Sequence, residues 1–446
     1  MATCLIDSKN MERFYEMLAL EGGHLVGYTH LGADGYLWCW NEADAELFDK
    51  YLSQWIENGF RLVAEYTLGE NSYKLLEGEK NTVYLSFIPS AGYIRLYSEE
   101  KGSSVPPPVE CDAFETVDGY TPTLWQLPID NKGSEKNGGM SYVIQVADGS
   151  FFIIDGGYAT DTEAGNLYEF LREKAMAVGI DTPVISGWFI SHLHSDHYGC
   201  FMKFAELYAD KTELRAMYFN LPADNYTFQF ELGISREEKI IELANNWSGV
   251  KIYRRLHTGM KFFICNLQVD VLFTYEDAFP NRLGSQNDTS TVLRLSIAGQ
   301  RLMFPMDIQK AASQVIEAQI SHDELKSDIV EFSHHGYEGA TQLFYDIVSA
   351  PTILWPMNIY GWQRPDKSNV FERYKEKTKG KSQLMPNAYI CEEAPYVKKI
   401  IVAGAGLAEL KLPYTPEGDK LPDYVAIHDA IAAVEEPEER PEEKTE

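Results

Sequence analysis

Three histidines and one aspartate fall within six positions, at His192, His194, Asp196 and His197, where the apolar run "WFIS" ends. In an extended or loop segment, residues two apart point to the same side, so His192 and His194 can grip one ion together. Asp196 and His197 lie beyond them on the turn and can face a second position. Neutral imidazoles and a carboxylate are borderline ligands that suit zinc, manganese or iron. The whole chain holds only ten histidines, so this gathering points to metal rather than to a polar loop.

One loop does not close a hydrolytic site, and three distant segments offer the rest. "FFIIDGG" puts Asp155 at the end of a buried strand, where it either orients the histidine loop from behind or simply makes a tight turn. "RLMFPMDI" puts Asp307 at the end of another apolar run, a costly place for an unpaired charge. "DIVEFSHHGYEG" ends an apolar run on His334 and His335, followed by Gly336. Four strand ends that each deliver His or Asp predict one metal centre.

The elements around them set the frame. Residues 1–100 read as a small α+β unit. In it a helix capped by Asn41 carries Phe48, Leu52, Trp55 and Ile56 on one face, and short strands come after it. His24 and His30 stand alone there and read as structural or surface residues. Residues 101–122 are rich in Pro, Gly and Ser and form a linker. From 123 to 433 strands alternate with helices, beginning with a hairpin turned at Asp148-Gly149. Two strand-rich halves interleaved with helices predict a layered α/β sandwich. Residues 434–446, "VEEPEERPEEKTE", form an acidic disordered tail.

The net charge is −28, a field that repels long polyanions. Lys375, Lys377, Lys379 and Lys381 in "ERYKEKTKGK" read as a solvated helix end rather than a nucleic-acid patch. The charge therefore favours a small-molecule substrate over long nucleic acid. Six cysteines, at 4, 39, 111, 200, 265 and 391, form no CxxC pair and read as reduced thiols. Cys200, just after the motif, reads as a small packing residue. There is no secretory pattern at the start and no apolar run near the ~20 residues a spanning helix needs, so a cytoplasmic setting without membrane contact is expected.

The combined pattern, from about residue 123 to 410, resembles the metallo-β-lactamase superfamily, and within it the ComEC-type metallo-hydrolase branch. The resemblance implies an α/β fold, the αββα four-layer sandwich, preceded here by the small N-terminal domain. It implies that Asp155 orients the site, that His192 and His194 hold one metal, and that Asp196 and His197 hold the other. By the same resemblance Asp307 bridges both ions and the "HHG" at 334–336 completes the second site, with His334 expected as the ligand and His335 left open. "NDTSTVLRL" and "NIYGWQRPDKSNVFERY" are similar to two further stretches of that branch. Many members supply a third histidine to the first metal near "SQNDTS"; none stands here, and Asn287, Asp288 or water would take its place. Trp362 stands where the branch has histidine.

The implied chemistry is that of a hydrolase whose two divalent ions, zinc with manganese or iron as alternatives, activate water against a phosphodiester or another ester-like bond. Asp196 would ligate the second ion and accept a hydrogen bond from the nucleophile. The alternative is a metal-binding or degenerate-site regulatory protein without hydrolytic activity. The N-terminal domain is expected to fold separately, and His257, outside every motif, to matter little.

Overall fold

The computed structural model describes residues 23–30, 35–101, 106, 114–128, 140–222, 234–357, 390 and 393–421. The stretch with Trp362, the four lysines, the acidic tail and Cys4, Cys111 and Cys391 lie outside the described residues.

The N-terminal part is one antiparallel sheet of six strands, ordered His24–His30, Tyr36–Asn41, Tyr93–Glu100, Asn81–Ile88, Asn71–Glu77, Arg61–Leu68. Helix Ala45–Glu57 lays Phe48, Tyr51 and Trp55 on one face, against Trp38, Trp40, Val83, Leu85 and Leu96. The expected helix is present, but its cap is Asp44, not Asn41: the Asp44 carboxylate accepts from the Leu47 N–H at 2.8 Å. Asn41 instead ends the strand before it.

The opposite face of this sheet carries Leu37, Tyr73, Leu75, Tyr84 and Tyr97, and these join the core of the rest of the chain. The seam is polar as well as apolar. Arg95 donates to the carbonyls of Phe279 (3.1 Å) and Asp277 (2.7 Å) and to Gln319 Oε1 (3.2 Å). Arg255 pairs with Glu99 at 3.2 Å, with both side chains buried. The sheet is thus packed against the rest of the chain rather than standing apart from it. Alternating apolar strands look the same in sequence whether their second face meets solvent, a helix or a second body.

The remainder holds two larger sheets. One runs Lys251–Tyr253, Ala216–Tyr218, Val184–Phe189, Phe151–Asp155, Ser141–Gln145, Thr123–Gln126, Ala408–Lys411, parallel in its first half and antiparallel in its second. The other runs Lys261–Ile264, Leu267–Phe273, Val292–Ile297, Gln300–Phe304, Ile329–Glu331, Thr352–Trp355, Lys399–Val402. Tyr142, Ile144, Phe152 and Ile154 of the first share a core with Val269, Leu293, Leu295 and Phe304 of the second. Helices Asp161–Ala177, Ser195–Tyr208 and Ile234–Ala244 cover the first sheet's other face through Leu167, Leu171, Phe201, Phe204 and Ile240. Each large apolar side chain buried this way contributes about 1.5–3 kcal/mol. The expected hairpin turns at Gly149, which takes φ +78°. Among the described residues, no helix is long and apolar enough to cross a membrane.

Candidate metal centre

The site forms where strands of both large sheets end. Strand Phe151–Asp155 stops on Asp155, held at φ 53°. Strand Val184–Phe189 leads to Ser191, His192 and the start of helix Ser195–Tyr208. Strand Gln300–Phe304 leads to Asp307, and strand Ile329–Glu331 to His334 and His335. Left-handed backbone at Asp155, Met306, His334 and His335 is unfavourable for residues with a Cβ. Such strain gathers where surrounding structure holds a functional geometry.

Asp155 braces the histidine loop from behind. Its Oδ1 accepts from the Ser191 N–H (2.8 Å) and its Oδ2 from the Ser191 hydroxyl (2.7 Å), while Oδ2 lies 2.7 Å from His197 Nδ1. With Nδ1 tied there, His197 presents Nε2 to Asp307 Oδ2 at 3.2 Å. His335 is oriented in the same manner: its Nδ1 donates to the Pro356 carbonyl at 2.8 Å. Its Nε2 then lies 3.4 Å from Asp196 Oδ2 and 3.6 Å from Asp307 Oδ2. His192 Nε2 reaches within 3.8 Å of the same Asp307 oxygen.

Two trios result, His192–His194–Asp307 and Asp196–His197–His335, each with ligand atoms within 4.8 Å of one another. Nε2 of His192, His197 and His335 and Oδ1 of Asp307 are buried without a hydrogen-bond partner. Leaving one such atom unsatisfied costs about 1–3 kcal/mol. Four lone-pair atoms turned toward one small space fit divalent cations, and imidazole with carboxylate is the donor set of zinc and its neighbours.

The carboxylates and imidazoles of the site offset one another's charge. Burial alone would raise the Asp307 carboxyl, but the imidazoles of His197 and His335 hold it well below the usual carboxylate range. Burial opposes a charge on His197 also, yet the Asp307 and Asp155 carboxylates raise it well above the ordinary imidazole value. His192 goes the other way, pushed down by burial and by His197 and His194. Asp196 is likewise held low by His335 and His197 despite its burial.

The expected residues separate at the second histidine pair. His335, left open in the sequence, stands with Asp196 and His197, whereas His334 does not enter either trio. His334 Nε2 instead faces Asn287 Nδ2 at 3.0 Å, which occupies the lone pair a metal would need. Gly336 is required for this turn: it takes φ +76°, and a Cβ there would collide with the Trp355 indole, whose N–H donates to the His335 carbonyl. Asp288 is not turned to the trios; its Oδ1 accepts from the N–H groups of Gln309 (2.7 Å) and Ala312 (3.1 Å), capping helix Lys310–Gln319. Asn287 Oδ1 is buried and unpartnered. Cys200 is buried, its N–H donating to the Gly157 carbonyl, and packs beside Gly156.

Sequence reasoning missed Ser191 and the Pro356 carbonyl, and nothing in their spacing marks them. His257, expected to matter little, has a structural part. It is buried, lies 2.7 Å from Glu276 Oε2 through Nδ1, and packs between the rings of Tyr84 and Tyr97.

Residues 136–274 match the family model of the metallo-beta-lactamase superfamily. The match takes in Asp155 and the 192–197 motif, supporting that superfamily for this part of the chain, and ends before Asp307 and His335. No curated protein matches. Similar solved structures include the metallo-beta-lactamase fold protein YhfI from Bacillus subtilis, 12% identical, covering 53% of this chain and 85% of that one at a TM-score of 0.34. A metal-dependent hydrolase of the beta-lactamase superfamily is 12% identical over 65% of this chain and 99% of its own, at 0.34. The short form of human tRNase Z is 10% identical over 52% and 90%, at 0.28.

Proposed function

We propose that this chain is a metal-dependent hydrolase of the ComEC-type branch, with its two larger sheets and flanking helices forming an αββα sandwich. The observation that carries the reading is the pair of trios meeting on Asp307, with buried ring nitrogens left unpartnered. His192, His194 and Asp307 would hold one ion and Asp196, His197 and His335 the other, with Asp307 shared. Asn287 Oδ1, buried and unpartnered, would substitute for the histidine missing from the first trio. Divalent ions bound there supply Lewis acidity and acidify water to near neutrality.

The protein's residues do the rest. Asp155 and the Pro356 carbonyl fix the tautomers of His197 and His335, so that each presents Nε2. Asp196, at the first turn of helix Ser195–Tyr208 and still partly exposed, would accept a hydrogen bond from the attacking water. No serine or cysteine nucleophile is needed. The substrate we propose is a small phosphodiester or other ester-like compound, because the −28 charge disfavours long nucleic acid. Hydrolysis of bis(p-nitrophenyl) phosphate with added manganese or zinc tests the reading. Absence of metal-dependent turnover on phosphodiester, lactone and thioester probes, in protein carrying two ions, would favour a binding or regulatory role.

A further inference from the structure

Glu331 is a fully buried carboxyl that the proposed chemistry does not use. It ends strand Ile329–Glu331, and among the described residues no Lys or Arg pairs with it. A buried acid without a cation is costly, so its retention needs a reason. Its Oε2 accepts the Met306 N–H at 3.0 Å, and Met306 is the residue before Asp307, held at φ +55°. The carbonyl of Met306 in turn accepts from the His334 N–H at 2.9 Å. A second brace joins the same two loops, where the Ser333 hydroxyl donates to the Ile308 carbonyl. The loop that carries Asp307 is therefore tied at Met306 and Ile308, on either side of Asp307, to residues that precede His335.

We propose that Glu331 is a positioning residue for the metal centre: as acceptor for the Met306 N–H it holds the strained turn that sets Asp307 against His335. The inference rests on the two-ion reading of the site. What matters is an acceptor atom at that reach rather than a negative charge, because the carboxyl lies among Asp307, Asp155 and the Tyr142 hydroxyl. Without it the turn at Met306 relaxes toward ordinary backbone. Asp307, a member of the first trio whose Oδ2 lies 3.2 Å from His197 and 3.6 Å from His335 of the second, then moves, and both ions weaken together.

The test is metal affinity by competition with a chromophoric chelator, using zinc and cobalt(II), on wild type, E331Q, E331D and E331M. Gln keeps the acceptor and the length, so E331Q should bind both ions within about twofold of wild type and keep the cobalt absorption spectrum. E331D keeps the acid but withdraws it by one methylene, and E331M removes the acceptor at similar volume. Both should weaken each ion by about tenfold or more, as loss of an outer hydrogen-bond partner typically does, and alter the cobalt spectrum. Equal affinity in E331M and wild type would overturn the inference, as would a tenfold loss in E331Q. Should E331M not fold, E331Q and E331D still decide it by the same criteria. A wild type that takes up no ion overturns the metal reading and this inference with it; a wild type that loads normally alongside an unaffected E331D and E331M overturns this inference alone.

Discussion

Asp155 Oδ2 lies 2.7 Å from His197 Nδ1, at the foot of a chain that continues through His197 Nε2 to Asp307, 3.2 Å away. The same carboxylate takes both the N–H and the hydroxyl of Ser191. One acid thus sets the tautomer of His197 and the position of the loop that carries His192, His194 and Asp196. Asp155→Asn should fold, because an amide retains one acceptor, yet lower metal affinity by about 10–100-fold. A chelator titration checks this, and an unchanged affinity would strip Asp155 of the role.

The seam between the N-terminal sheet and the rest predicts a stability defect distant from the metal. Glu99→Leu leaves the buried Arg255 guanidinium without its close partner, Glu237 being 4.0 Å away. Removing one partner of such a pair costs about 3–5 kcal/mol. Urea denaturation should show that loss. Deleting residues 1–100 would also expose the core that Tyr73, Leu75, Tyr84 and Tyr97 cover, so the truncated chain should lack a cooperative transition.

His257 and Glu276 give the pH dependence of the same seam. Burial would raise the Glu276 carboxyl, but His257 and Asn220 hold it below its ordinary 4.5. A depressed acid stabilises the fold above its unfolded value, and that contribution is lost as pH falls through the folded one. His257→Leu should therefore lower the melting temperature most at neutral pH, with the gap to wild type closing in acid. Melting curves from about pH 3 to 7 span that window; a gap that widens in acid would contradict the assignment.

Legibility in the sequence depended on the kind of physics involved. The 192–197 cluster, Asp155 and Asp307 were visible because charged or ligating residues at the ends of apolar runs need a reason to be there. The choice between His334 and His335 was not, since both neighbours lie in one turn with the same left-handed backbone, and only their contacts separate them, His334 on Asn287 and His335 on the Pro356 carbonyl. Asp288 stands where the resemblance lacks a histidine, and its contact with the start of helix Lys310–Gln319 is long-range pairing that local spacing does not encode. The N-terminal interface was hidden for a different reason. Its polar half, Arg95 onto the Asp277 and Phe279 carbonyls, is long-range pairing that local periodicity does not encode.

The most direct measurement is metal-dependent turnover of bis(p-nitrophenyl) phosphate by the chain purified without chelator, with metal content determined on the same sample. The expected result is about two ions per chain, activity restored by manganese or zinc after stripping, and a loss on the order of a hundredfold in Asp196→Asn. Protein that carries two ions but turns over no phosphodiester, lactone or thioester probe, or that binds no ion even when zinc and manganese are supplied, would contradict the hydrolase reading.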